Sequence, residues 1–141
     1  RYTRQSAPIF FVSTKYGPQI PLNKNNQFTE KVILVTAIAD PRPLVDHIRR
    51  NFHLIKHFNF NDHHYFSRRE LERILTFYKT QNDQTPSILF TEKDIMRIIG
   101  TKLEDILMEY PVFFQPITYK FAQGESEFED FIQKVLDKTE D

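Results

Sequence analysis

The sequence predicts an α/β protein: an open, mostly parallel sheet with helices on both faces, preceded by a β-hairpin. Three observations predict it. Lys31 to Ile38 (KVILVTAI) is an unbroken, β-branched apolar run of the kind that suits a strand buried on both faces. Strand-length runs alternate with capped segments of helical period along the chain. Successive strand–helix units of this kind close through right-handed crossovers, which bring the strand-to-helix loops to the carboxyl edge of one sheet.

Each element has its own signal. Ala7 to Thr14 and Gln19 to Leu22 are extended runs flanking Tyr16-Gly17-Pro18, which predicts a hairpin. Asn23 to Gln27 is polar and reads as a linker, so residues 1–27 form an extension and residues 28–141 the α/β domain. After the Lys31–Ile38 strand, Asp40 is expected to cap a helix with Pro41 at its first position, where a missing N–H costs nothing. Leu44, Val45, Ile48 and Phe52 fall on one face of that helix. Leu54 to Phe60 alternates as a second strand, with Leu54, Lys56 and Phe58 opposite Ile55, His57 and Asn59.

Ser67-Arg68-Arg69-Glu70 is a capping box, and Leu71, Ile74, Leu75 and Tyr78 repeat at helical spacing behind it. Ser87 to Phe90 is a third strand. Thr91 and Asp94 start a helix carrying Ile95, Ile98 and Ile99, which Gly100 ends. Thr101 to Glu104 caps the next segment, Val112 to Ile117 is a fourth strand, and Ser126 to Glu129 opens a last helix.

Composition narrows the function. With 19 basic and 19 acidic residues, the chain offers no polybasic tract for nucleic acid or a membrane surface. The absence of cysteine removes disulfides, cysteine-based zinc sites and thiol nucleophiles together. No apolar run approaches the ~18 residues of a membrane span. There is no GxxxxGK[ST] loop and no GxGxxG, and no serine sits in a nucleophile elbow. The chain opens on Arg1 and runs directly into strand-like sequence, which reads as a piece of a longer protein.

The densest titratable chemistry lies in FNFNDHHYFSRRE, Phe58 to Glu70. A histidine beside an acid, as in Asp62-His63-His64, can act as a general base or orient another base. The same three residues could ligate a metal, or simply cap the sheet edge and face water. The letters DHH also mark a family of metal-dependent phosphoesterases. Two-metal catalysis needs several converging carboxylates, however, and here Asp46 belongs on a helix and Asp83 at the opposite edge; no metal site is assigned. Two further loops should share the edge. In Thr91-Glu92-Lys93-Asp94, Thr91 and Asp94 are explained as caps, while a lysine at a helix start is disfavoured by the dipole and could serve an anion, a partner surface or only water. In Thr36 to Asp40 the small residues suit either close ligand approach or tight helix–sheet packing.

In order and spacing, KVILVTAIADPRPL, HFNFNDHHYFSRREL and ILFTEKDIMRI resemble the carboxyl-terminal part of tetraacyldisaccharide 4'-kinases, the lipid A 4'-kinases of Gram-negative bacteria, over roughly Lys31 to Lys138. The aromatic-rich wording is closest to the Bacteroidetes-type enzymes. The resemblance implies a two-domain P-loop kinase whose amino-terminal domain, not in this chain, binds ATP and Mg2+ and carries the catalytic carboxylate. It implies transfer of a phosphoryl group to the 4'-hydroxyl of a tetraacylated glucosamine disaccharide 1-phosphate, at the cytoplasmic face of the inner membrane, with peripheral association through the whole enzyme. His63 and Asp62 match the family's Asp-His pair, so they are the implied catalytic residues. His64, Asp40 and the Thr91, Glu92, Lys93 and Asp94 motif are implied site or interdomain contacts. Ala37 stands where the family usually has Gly, Asp40 where Asn is common, and Asn61 where Pro or a small residue is frequent. The chain alone is then expected to be inactive. The alternatives are a stand-alone binding module using the same edge, and a phosphoesterase built on Asp62-His63-His64.

Overall fold

The computed structural model describes residues 11–81 and 85–121. The chain divides between Gly17 and Pro18 and again between Pro116 and Ile117.

The unit Pro18–Pro116 is built on a five-stranded sheet. Its central strand β3 (Lys31–Thr36) lies between β4 (His53–Asn59) and β5 (Ser87–Thr91), and β5 pairs with β6 (Val112–Gln115), all parallel. The two-residue strand β2 (Ile20–Pro21) closes the far edge, antiparallel to β6. Helices α1 (Arg42–Asn51), α2 (Arg68–Lys79), α3 (Glu92–Met96) and α4 (Lys102–Leu107) fill the connections.

Strand parity divides the core into two layers. Ile33, Val35, Ile88, Phe90 and Val112 pack with Leu71, Ile74 and Leu75 of α2, Ile95 of α3 and Leu107 of α4. Val32, Leu34 and Leu89 point the other way, where α1 buries Leu44, Val45 and Ile48. Edge-on contacts of Phe28 with Phe52 and Phe113, ring centroids 5.1 Å apart in each case, close that second layer. Each such side chain withdrawn from water contributes about 1.5–3 kcal/mol, so the two layers dominate the stability of the unit.

The other unit contains β1 (Phe11–Tyr16) and β7 (Ile117–Phe121), paired antiparallel. This corrects the expected hairpin. The runs on either side of Gly17-Pro18 do not pair with each other; β1 takes β7, and β2 takes β6. Turn residues announce a change of direction but not the partner, which long-range pairing chooses. The expected boundary after Gln27 moves as well. Asn23 Nδ2 donates to the Met108 carbonyl and Asn26 Nδ2 to that of Tyr110, so the polar stretch is tied into the Pro18–Pro116 unit. The expected fourth strand, Val112 to Ile117, is broken at Pro116, and Ile117 belongs to β7.

Strand β4 also departs from simple alternation. A bulge beside Val32 and Ile33 resets its phase, so Ile55, Phe58 and Phe60 all pack on the α2 layer. Helix α1 starts one residue late: Pro41, not Asp40, is its N-cap, and Asp40 Oδ1 instead accepts the Arg42 amide two residues on. The helix expected from Ser126 lies outside the described residues. Among the described residues no helix is long and apolar enough to cross a membrane.

Candidate functional site at the carboxyl edge of the sheet

Ala37, the first residue after β3, ties three loops together through its backbone. Its N–H donates to Asp94 Oδ2 at 2.9 Å, and its carbonyl accepts the His63 N–H at 3.1 Å. One residue earlier, the Thr36 carbonyl accepts the Phe60 N–H at 2.8 Å. The loops after β3, β4 and β5 therefore meet at one place, where parallel sheets bind their ligands. The Ala37 side chain is buried in the core, so its small size serves packing rather than ligand approach.

The β5–α3 loop supplies the rigid floor. The Thr91 hydroxyl donates to Asp94 Oδ2 at 2.7 Å and accepts the Asp94 N–H at 3.1 Å, an N-cap closed on itself. Asp94 is completely buried. Its Oδ1 faces Arg97 Nη1 at 3.6 Å, an ion pair longer than a hydrogen bond, and among the described residues neither atom has a hydrogen-bond partner. Glu92 and Lys93, between the capping residues, are exposed.

The β4–α2 loop splits the adjacent histidines. His63 has φ +63°, a left-handed backbone that a histidine adopts only at a cost and that the bond to Ala37 helps hold. Its side chain is 66% exposed, with Nε2 3.5 Å from Asp62 Oδ2 and Nδ1 2.7 Å from Arg97 Nη2. The Arg97 guanidinium also lies 5.5 Å from the ring centre of Tyr65, which is 75% exposed. His64 turns the other way. It stacks on Phe60, meets Phe66 edge-on, and places Nε2 2.7 Å from Glu70 Oε1.

Glu70 also accepts the Ser67 N–H and completes the capping box. Burial raises its pKa, but the hydrogen bonds from His64 and Ser67 outweigh it and hold the carboxyl below its ordinary value. On the other face of β4, His57 Nε2 lies 2.8 Å from Thr36 Oγ1, whose proton goes to Asn59 Oδ1. Burial, and then the nearby Arg49 charge, push the His57 pKa down.

The residues expected at the site thus separate into three groups. Asp62, His63, Thr91 and Asp94 come together. His64 serves the local fold. Asp40 is exposed and turns to its neighbour Arg42, Nε to Oδ1 2.8 Å, an ion pair that lowers its pKa. Arg97 and Tyr65 are members that the sequence reading missed. The spacing Asp94-x-x-Arg97 on one helical turn was the available signal for Arg97.

Among the described residues no group of three or more His, Asp or Glu side chains could hold a metal ion, because His64 points to Glu70 and away from Asp62. Gly100, with φ +89°, ends the turn after α3 and is not in a strand-to-helix loop where phosphate would be cradled.

The described residues form an α/β module, an open and mostly parallel sheet with an exposed acid–histidine pair on its carboxyl edge. The chain belongs to the tetraacyldisaccharide-1-P 4'-kinase family, whose model matches residues 3–137. It is similar to the tetraacyldisaccharide 4'-kinase of Cytophaga hutchinsonii, at 28% identity over 98% of this chain and 40% of the relative. It is similar to those of Parabacteroides distasonis, at 33% over 77% of the chain and 30% of the relative, and Phocaeicola vulgatus, at 28% over 84% and 35%. The chain thus spans 30 to 40% of the length of these relatives. No solved structure matches it.

Proposed function

We propose that this chain is the carboxyl-terminal part of an ATP-dependent kinase that phosphorylates the 4'-hydroxyl of a tetraacyldisaccharide 1-phosphate in lipid A biosynthesis. Family membership supports the kinase reading. ATP and Mg2+ would be bound mainly by residues outside this chain.

Phosphoryl transfer asks the protein chiefly for positioning and charge stabilisation. A second body closing over a nucleotide site can supply such groups across a cleft. The observation that carries the proposal is the exposed His63 ring on the carboxyl edge, backed by Asp62 and Arg97 and pinned through Ala37. In this reading His63 hydrogen-bonds the carboxylate that takes the proton of the sugar hydroxyl, and orients it. Asp62 holds the imidazole. Glu92 and Lys93, exposed at the start of α3, would face the rest of the enzyme. Work at the cytoplasmic face of the inner membrane is part of the same proposal.

The test is His63→Ala in the whole protein, assayed for phosphoryl transfer from ATP to the lipid acceptor. Turnover should fall about 10²- to 10⁴-fold with ATP affinity little changed. Wild-type turnover would remove His63 from the reaction. The 141-residue chain alone should transfer no phosphate.

A further inference from the structure

We infer that Arg97 is a positioning residue that locks the His63 ring in its Nε2–H tautomer, so that His63 meets its partner as a hydrogen-bond donor and not as a base. The inference rests on the role proposed above for His63, and extends it to a residue outside the Asp-His and Thr-Glu-Lys-Asp motifs.

A guanidinium has donors and no acceptor. Arg97 Nη2 lies 2.7 Å from His63 Nδ1, so Nδ1 must offer its lone pair. A neutral ring with a bare Nδ1 carries its proton on Nε2. That nitrogen faces Asp62 Oδ2 at 3.5 Å, an acceptor suited to an N–H and unsuited to a second lone pair. Both sides of the ring therefore select the same tautomer.

The arginine is itself held. Its side chain is only 18% exposed, and Nη1 stands 3.6 Å from the buried Asp94 Oδ1. The other Asp94 oxygen is occupied by the Ala37 N–H and the Thr91 hydroxyl, so the carboxylate cannot swing. Tyr65 lies against the guanidinium from the exposed side. A chain of contacts runs from the core through Asp94 and Arg97 to the ring. An exposed histidine would otherwise sample both tautomers and several rotamers. Here the backbone is pinned at Ala37 and the ring at Nδ1, which leaves Nε2–H as the group presented outward. A second carboxylate arriving there, or Asp62 displaced slightly, accepts a hydrogen bond from an N–H already in place. Orientation of this kind is fixed before the substrate binds and costs nothing at the moment of reaction.

The test combines nitrogen NMR with kinetics. In the histidine-labelled whole protein at pH about 8, His63 Nδ1 should show the signature of an unprotonated nitrogen and Nε2 that of an N–H. In Arg97→Met the two signals should move to the averaged positions of a ring exchanging between tautomers. If Arg97→Met fails to fold because Asp94 is left unpaired, Asp94→Asn/Arg97→Met removes both charges and keeps the readout. In the whole protein the variant should lower kcat about tenfold with KM for ATP unchanged, a fraction of the loss from His63→Ala. An Nδ1–H signal in the native protein, or a tautomer signature that Arg97 substitution does not move, overturns the inference. If His63→Ala keeps wild-type turnover while the Arg97-dependent tautomer is seen, the proposed role of His63 has failed and the lock itself stands. If His63→Ala is crippled while Arg97→Met keeps full kcat, the lock does not serve the reaction.

Discussion

His63 and His64 are neighbours in sequence and opposites in the fold. His63 is turned outward on a left-handed backbone, and its ring is met at Nδ1 by Arg97 from another loop. His64 is folded inward between Phe60 and Phe66 and bonded to Glu70, six residues away. One ring is presented for use while the other fastens the β4–α2 loop to the start of α2. The comparison shows that a cluster of titratable residues need not act as a unit, because each side chain is divided from the next by the partners that tertiary packing supplies.

Five variants break or sharpen that contrast. His63→Ala in the whole protein should cost about 10²- to 10⁴-fold in turnover. In the same position His63→Gly should leave the melting temperature of this chain unchanged or higher, since glycine accepts the left-handed backbone without strain. Calorimetry on His63→Gly that showed a large loss would mean the ring is structural. Asp94→Ala should destabilise the chain by about 1–3 kcal/mol in urea unfolding, because it takes the acceptor from the Ala37 N–H and the facing carboxylate from the half-buried Arg97. A loss below 1 kcal/mol would mean that the floor of the site does not depend on this carboxylate.

His64→Ala should cost about 1–2 kcal/mol of stability from the lost stacking and the lost Glu70 hydrogen bond, with turnover nearly untouched. A turnover loss as large as that of His63→Ala would erase the distinction between the two rings. The smallest effect is a pH dependence on the opposite face of β4. His57 has a depressed pKa in the fold against 6.5 for the free group, so the unfolded chain binds the proton more readily. Stability from this group is fully present above pH 6.5 and is lost as pH falls through the lower folded value. His57→Asn should flatten that slope between neutral and mildly acidic pH in unfolding titrations, and an unchanged slope would assign it to another group.

Much of this architecture was legible in the residues themselves. KVILVTAI declared a strand buried on both faces, and Ser67 with Glu70 declared a capping box, because both signals are local and need no partner from elsewhere in the chain. Thr91 and Asp94 were readable as a cap for the same reason. The β1–β2 hairpin was misjudged because two extended runs around Gly17-Pro18 carry no information about which strand each will join. The bulge in β4 was invisible since its cause is register against β3. Arg97 escaped notice because an arginine on a short helix is ordinary until the fold sets His63 at its tip.

By itself, then, the sequence determined the alternation of strands and helices, the caps that begin α2, α3 and α4, and the three motifs that mark the family. Those features depend on side-chain period and on hydrogen bonds reaching three or four residues. Tertiary structure alone decided that Ala37 would tie three loops together, that Asp94 would be sealed beneath Arg97, and that one histidine of two would face solvent. The Ala37 contacts join groups more than twenty residues apart, and only the closed sheet brings them within reach of one another.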